Sequence, residues 1–339
     1  MESALTAPPR KPFRATRLPL LARCYRDAFR SGHAKSLNPV WRFVRRLDFY
    51  FLLKATSNRQ TGELALRLTE GERLAPFNAR NRQFNSIYFD KFAFAYEPEV
   101  SLLVDHAVAD GGVFYDIGAN WGYFSFYLAS RPGFAGTIHS FEPWPSTHED
   151  LAGLVTSLGM QDRITCHATA LGGHSGAANM QAASHSGLVK LSAANAGGVA
   201  VKLTALDDLA LPPPDLIKLD VEGAELAVLF GATRLLATAR PALIFENSLS
   251  EGRPADACAV LTHLEQAGYQ LTVPQLIGRH RATGAETDVA AYFDANTYDY
   301  LRMECRPFRA ADREKLSSYL NIFAYHPAKA PAFLATKPS

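Results

Sequence analysis

Short apolar runs that end on an acid, each followed by a stretch at helical spacing, set the rhythm of this chain. Val113, Phe114 and Tyr115 lead to Asp116; Gly118, Asn120 and Gly122 follow; then Tyr123, Phe124, Phe126, Tyr127 and Leu128 fall at amphipathic spacing. That order predicts a strand, a glycine-rich turn and a helix to about residue 130. The unit recurs. Residues 137–142 form a second strand that ends in Glu142 and is stopped by Pro143, with a helix over 146–158 and a third strand over 164–168. Residues 215–220 end in Asp220 and lead into a helix over 221–236, and residues 241–246 end in Glu246. A helix over 256–267 and strands over 269–273 and 320–325 complete the series. Strands alternating with helices predict an α/β fold: a doubly wound, Rossmann-like sheet.

The flanks read differently. A helix over 97–109 feeds the first sheet strand, and short strands are predicted near 64–68 and 86–89. Helices are predicted over 18–30 and 39–54. In the second, Val40, Trp41, Val44, Leu47, Phe51 and Leu52 share one face, and Arg42, Arg45 and Arg46 decorate the other. Residues 1–17, Pro-rich and basic, predict mobile chain. Residues 174–200 give no clear period apart from an extra strand over 199–203, and a short helix follows over 206–209. The chain thus divides into a basic helical extension (1–60), a connecting segment (61–96) and an α/β domain (97–330). That domain is interrupted at 274–319 by a stretch too long for a hairpin turn.

Composition narrows the class. At 47% hydrophobic and 20% charged the chain is globular, and no stretch approaches the roughly 18 or more apolar residues a membrane span needs. Cys24, Cys166, Cys258 and Cys305 lie far apart with no CxxC pair, which predicts neither a disulfide framework nor structural zinc and favours a reducing cytoplasm. Charge is unevenly placed: residues 1–60 hold 13 Lys and Arg against 3 acids, the remainder 22 against 30. The basic segment reads either as a helix packed on the body with a solvated face, or as an attachment to an anionic surface such as the inner face of a membrane.

The chemistry begins at the first turn. A dinucleotide fingerprint, G-x-G-x-x-G, receives a pyrophosphate; here the turn is D-x-G-x-N-x-G, and a carboxylate at the strand tip is a poor neighbour for phosphates. It suits a ligand with an ammonium and a sulfonium, which points to S-adenosylmethionine. Glu142, 24 residues beyond Gly118, is placed to accept both ribose hydroxyls. Four strand tips carry Asp116, Glu142, Asp220 and Glu246, and such an edge calls for a cationic or hydrogen-bonding ligand.

The runs DIGANWGYFS, FEPWP, TALG, LTALDDL, LIKLDVEGAELAVLFGA, RPALIFE and NIFAYHP, in this order, resemble the FkbM-type methyltransferases over roughly residues 97–327. The resemblance implies a class I methyltransferase fold: seven strands, the last antiparallel and inserted before the sixth. It implies S-adenosylmethionine as cofactor and transfer to a hydroxyl oxygen, often of a sugar/glycan or secondary metabolite. Carried over, Asp116, Gly118, Asn120 and Gly122 line the methionine end with Ala119 and Tyr123. Glu142 holds the ribose beside Pro143, the loop at Ala170 passes the adenine, and Asp220 lies near the transferred methyl. Trp121 stands where the family commonly has a smaller aliphatic residue.

Asp220 is the first candidate to take the acceptor's proton, its basicity raised by a neighbouring carboxylate; Glu222 is the second, with Glu225 beside it as an acid of a helix's first turn. Lys218 reads as a structural partner for an acid. Among the histidines only His185 is kept as a candidate, and Asp207-Asp208 reads as a helix cap rather than a metal pair, so no metal is expected. The 274–319 insert, with Tyr292, Phe293, Tyr298, Tyr300 and Phe308 and with Arg279, Arg281, Arg302 and Arg306, reads as an acceptor lid or wall, or with the N-terminus as a homodimer interface. A nicotinamide oxidoreductase lacks its fingerprint here, and DNA base methylation lacks its N/D-P-P-Y/F tetrad. RNA methylation and a non-catalytic scaffold of the same fold stay open.

Overall fold

In the computed structural model, residues 4–5, 9–20, 22–23, 26, 60–89, 95–182, 189–192, 198–249, 254–289 and 297–334 are described. Five parallel strands make the centre of the main sheet: β5 (Val113–Ile117), β6 (Thr137–Phe141), β7 (Ile164–His167), β12 (Leu216–Leu219) and β13 (Ala242–Ser248). Their order is β7-β6-β5-β12-β13. β17 (Tyr319–Tyr325) then pairs antiparallel with β13 and also with β14 (Gln270–His280), so the last strand lies between the fifth and sixth. This is the class I methyltransferase order expected from the sequence.

Both faces of these strands are covered, and the side-chain period of two sorts them cleanly. Phe114, Ile138, Leu216, Ala242 and Ile244 join the core under helices α1 (Pro98–Ala107) and α2 (Tyr123–Ala129). Tyr115, Ile117, Ile217, Leu219, Leu243 and Phe245 join the core under α4 (Glu225–Phe230) and α6 (Pro254–Gln266). Asp116 and Lys218 are register partners and fall on the α1/α2 face, as does Ser140, the partner of Asp116 on β6.

The flanks depart from the sequence reading in ways that bear on the site. Residues 13–17 are not free: β2 (Phe13–Arg17) pairs antiparallel with β3 (Thr61–Leu68), which pairs with β4 (Gly71–Asn78). The driving contact is aromatic. Phe13, 5% exposed, lies 5.4 Å from Trp121 and 5.0 Å from Tyr123, both in or beside the glycine turn. The basic residues here are paired as well, Arg10 with Asp105 and Arg14 with Glu72. Of the helix expected over 18–30, Leu20, Ala22, Arg23 and Arg26 are helical, whereas the helix over 39–54 and His185 lie outside the described residues. The strand expected near 86–89 is instead a 3-10 helix, Arg82–Ile87, capped by the Asn81 side chain.

Two later elements also differ. The helix expected over 221–236 is two, α4 and α5 (Thr233–Thr238), broken at Gly231, where a Cβ would lie 2.0 Å from the Gly172 carbonyl oxygen. The 274–319 insert is mostly sheet: β14 continues to His280 and pairs with β16 (Tyr298–Phe308), which pairs at its outer side with β1 (Ala4–Leu5). Residues 174–200 contribute β9 (Gly176–Ala182), β10 (Val189–Ser192) and β11 (Val199–Thr204) to a small sheet with β8 (Ala170–Leu171). Among the described residues no helix is long and apolar enough to cross a membrane.

Candidate active site

A cleft opens at the carboxyl ends of β5, β6 and β12, bounded by the turn after β5. Gly118, Ala119, Asn120, Tyr123, Glu142, Pro143, Ala170, Asp220 and Glu222, all expected from the sequence, line it. The turn is tight because Gly118 (φ 75°), Asn120 (φ 51°) and Gly122 (φ 92°) all sit left-handed. A Cβ at Gly118 would lie 1.8 Å from the Asp220 carbonyl oxygen, so β5 and β12 approach here as only glycine allows.

The amides of this turn are already committed. Gly118 and Ala119 donate to the Phe141 carbonyl at 2.9 and 3.1 Å, and Asn120 donates to Glu142 at 3.0 Å. Trp121 donates to the Asn120 side chain at 2.8 Å, and Gly122 to the Ala119 carbonyl at 2.8 Å. A pyrophosphate-binding loop aims such donors at its ligand. This one turns them inward and leaves carboxylates and ring faces to the cleft.

Glu142 is 7% exposed and accepts from the Asn120 and Trp144 amides at 3.0 and 2.8 Å. Burial outweighs those two hydrogen bonds and pushes its carboxyl up to about 7. Two amides fix the carboxylate at the mouth of the cleft, where it can accept from a ligand's vicinal hydroxyls.

Asp116 is placed differently from expectation. It is fully buried and outside the cleft lining; its Oδ2 accepts from the Ser125 amide at 3.1 Å and hydroxyl at 2.6 Å, tying β5 to the first turn of α2. Burial raises its carboxyl, and Lys218 and Ser125 oppose that rise. From there it braces the turn against α2.

At the other end of the cleft, Lys218 and Asp220 meet. The Lys218 ammonium lies 3.0 Å from Asp220, 4.0 Å from Asp116 and 5.1 Å from the Phe124 ring centre. Burial works against its charge, but Asp220, Asp116 and Glu97 overcome that and hold its pKa above the usual lysine value. Asp220 does have the carboxylate neighbours expected for it, Glu97 and Glu246 sharing a small cavity with it, and it has the Lys218 ammonium besides. Glu222 lies in the turn before α4 at φ 53°, not in a helix's first turn, and Glu225 takes the helix position. A second cavity of ≈ 420 Å³ shares Asp220 and Glu222 with the cleft and is lined further by Glu225, Phe230, Glu246 and Asp256.

Several lining residues were not named from the sequence. Gln83, Ser86 and Tyr96 come from the connecting segment, Trp144 and Thr147 from the stretch after β6, Thr169 from the loop after β7, and Met180 from β9. The expected wall, the 274–319 insert, is absent from the lining among the described residues. Its Tyr298 ring covers Gly278. Its arginines pair with acids of the same hairpin: Arg281 with Asp299, Arg302 with Glu286, Arg306 with Asp288. Tyr292 and Phe293 lie outside the described residues. Asp207 accepts from the Arg234 and Leu235 amides at 2.7 and 2.9 Å, in the first turn of α5, and not from its own short helix, which has no side-chain cap. Among the described residues no cluster of His, Cys, Asp and Glu could hold a metal ion.

Comparison with solved structures finds a methyltransferase FkbM from Methylobacillus flagellatus, 19% identical, covering 57% of this chain and 44% of that one at a TM-score of 0.38. The chain therefore spans less than half of that protein. A precorrin-6y C5,15-methyltransferase from Geobacter metallireducens is 15% identical and covers 63% and 88% at 0.34. An O-methyltransferase from Bacillus cereus in complex with SAH is 15% identical and covers 67% and 87% at 0.36. No curated protein matches the chain. The methyltransferase FkbM domain matches residues 116–271, from the strand-tip aspartate through β14's first residues. Residues 116–271 thus match the methyltransferase FkbM domain, over a little under half of the chain.

Proposed function

We propose that the protein is an S-adenosylmethionine-dependent O-methyltransferase acting on a hydroxyl of a sugar, glycan or secondary metabolite. The observation that carries the cofactor reading is the inward-turned turn: every amide from Gly118 to Gly122 donates within the protein. The cleft accordingly offers little to a pyrophosphate. It fits a ligand that brings donors of its own, the ribose hydroxyls to Glu142 and the ammonium to the carbonyl-rich turn. Thr169, Ala170, Met180 and Trp144, which line the same cleft, would flank the adenine. When bound, S-adenosylmethionine supplies a methyl group on a sulfonium, already a good leaving group. The residues then have mainly to align an acceptor oxygen with it and exclude water.

The acceptor belongs at the Asp220 end, where the cleft meets the second cavity. In this reading Asp220, 39% exposed at its side chain, and Glu222 grip neighbouring hydroxyls of a polyhydroxylated acceptor. Lys218 keeps Asp220 in place. Arg42, Arg45 and Arg46 of the basic segment hold the enzyme at an anionic surface; changing the three to glutamate should weaken salt-sensitive binding to anionic vesicles.

The test is direct. Calorimetry should show binding of S-adenosylmethionine and S-adenosylhomocysteine and none of NAD, and methyl-labelled cofactor should transfer label to sugars or glycans. Binding of NAD alone would overturn the cofactor reading, and label appearing only in RNA would overturn the acceptor class.

A further inference from the structure

The backbone amides of the glycine turn are committed inward, but its one side-chain amide is only half used. Asn120 lines the cleft and sits left-handed at φ 51°. Its Oδ1 accepts twice, from the Trp121 amide at 2.8 Å and from Asn81 Nδ2 at 3.1 Å. Two donors on the oxygen settle which way round the amide is turned. Nδ2, at the other end of the same plane, has no hydrogen-bond partner among the described residues.

Asn81 is held so that it can only donate here. Its own Oδ1 accepts from the Gln83 amide at 3.1 Å and caps the 3-10 helix Arg82–Ile87, which lines the cleft through Gln83 and Ser86. Its Nδ2 is left to face Asn120 and, at 3.2 Å, Asp150 Oδ2. Asp150 lies on α3 (Pro145–Ser157), and its Oδ1 accepts from Asn78 Nδ2 at 3.2 Å, at the end of β4. The end of β4, the 3-10 helix and α3 thus meet behind one amide of the turn. Asn81 stands outside the matched family domain, which begins at Asp116.

We propose that Asn81 is a positioning residue for the cofactor: by locking Asn120 Oδ1 it keeps Nδ2 turned to the cleft, where that amide donates to the carboxylate of the cofactor's amino-acid end. The assignment rests on the S-adenosylmethionine reading above. It fills a gap in that reading, because a carboxylate finds few donors here. Each backbone N–H from Gly118 to Gly122 already has a partner. Lys218, the one cation lining the cleft among the described residues, is taken up by Asp220 at 3.0 Å. With Trp121 alone, turning the amide over would cost one hydrogen bond. With Asn81 it costs two and sets donors against donors. The binding group is therefore oriented before the ligand arrives, which lowers the cost of binding.

The experiment measures, by calorimetry, the Kd of S-adenosylmethionine and of decarboxylated S-adenosylmethionine, which keeps the sulfonium, the nucleoside and the amine. The main variant is Asn81→Asp combined with Asp150→Asn. It keeps the side-chain shape, the cap on Gln83 and a donor opposite the new carboxylate, but gives Asn120 an acceptor where a donor stood. Its Asn120 amide should turn Nδ2 inward and set Oδ1 against the ligand's carboxylate. Its Kd for S-adenosylmethionine should rise about tenfold or more, with Kd for the decarboxylated ligand and Tm little changed. The wild type's preference for the carboxylated ligand should accordingly vanish. Asp150→Asn alone keeps the bond from Asn81 to Asn120 and should bind both ligands as the wild type does. Asn78→Ala cuts only the outer end of the network and should lower Tm without moving either Kd. Asn81→Ser, which keeps an oxygen for the cap but is too short to reach Asn120, should shift the two ligands as the double variant does, whether or not that variant folds. Equal weakening of both ligands, or an Asn78→Ala protein that loses S-adenosylmethionine affinity to the same degree, would reduce Asn81 to a prop of the fold and overturn the proposal. Wild-type affinities in both Asn81 variants would overturn it too. A wild type that binds NAD and neither sulfonium would instead bring down the cofactor reading itself.

Discussion

Glu142 offers the sharpest test of the cofactor site, because its charge and its ligand are linked. Its carboxyl is pushed up to about 7 by burial, while ribose hydroxyls, as donors, bind the carboxylate form. Binding must therefore strengthen as pH rises through 7. About one molecule in ten is ionised at pH 6 and about nine in ten at pH 8, a roughly tenfold change in apparent Kd or about 1.4 kcal/mol. At pH 6 close to one proton should be released per ligand bound. Calorimetry with S-adenosylhomocysteine in buffers of different ionisation enthalpy reads both quantities. Glu142→Gln keeps the shape and removes the titration, so the ligand's own ionisation, common to both proteins, drops out of the comparison. The variant should bind more weakly by about 1–3 kcal/mol at pH 8, since its amide turns donors toward the Asn120 and Trp144 amides. A wild-type Kd flat from pH 6 to 8, or an unaltered slope in Glu142→Gln, would refute the assignment.

The remaining expectations concern the frame around that site. Without ligand, stability should fall as pH rises from about 5 to 8: Glu142 and Glu97 lose their protons near 4.5 when unfolded but at about 7 and about 8 when folded, so the unfolded chain holds fewer protons in that window. Thermal melts at pH 5 and 8 test this, and a Glu142→Gln protein with an undiminished fall would count against it. Phe13→Ala should cost about 3–5 kcal/mol in chemical denaturation, because the ring is buried against Trp121 and Tyr123; a loss under 1 kcal/mol would mean that β2 is not integral to the fold. Gly118→Ala should abolish cofactor binding, measured by calorimetry, since its Cβ would meet the Asp220 carbonyl at 1.8 Å and the φ is left-handed; wild-type affinity would show that the turn can relax.

What the sequence disclosed and what it hid follow from the range of the interactions. The parallel strands were legible because each carries its own apolar run, its own terminal acid and its own glycine or proline stop. The insertion of β17 between β13 and β14 came with the family resemblance rather than with any local pattern. Part of the cleft's lining was legible too, since Gly118, Asn120 and Glu142 are placed by backbone geometry and by an acid at a strand tip. Asp116 misled because a strand tip does not say whether a carboxylate points into the cleft or back along the sheet. Its register opposite Lys218, a contact across the fold, decides that together with its bonds to Ser125, nine residues on. The acceptor side was hidden for the same reason. Tyr298 and the arginines of the insert look, by composition, like a sugar-binding wall, but β14 and β16 pair them with one another. The wall comes instead from residues 82–97, whose apolar positions have no period. Phe84 stacks 4.7 Å from Trp121, and Trp121 meets Phe13 from the far end of the chain. The tryptophan that departs from the family's usual small residue is thus the post against which β2 and the 3-10 helix lean. Through that packing the N-terminal strand, the connecting segment and Tyr96 are brought over the glycine turn.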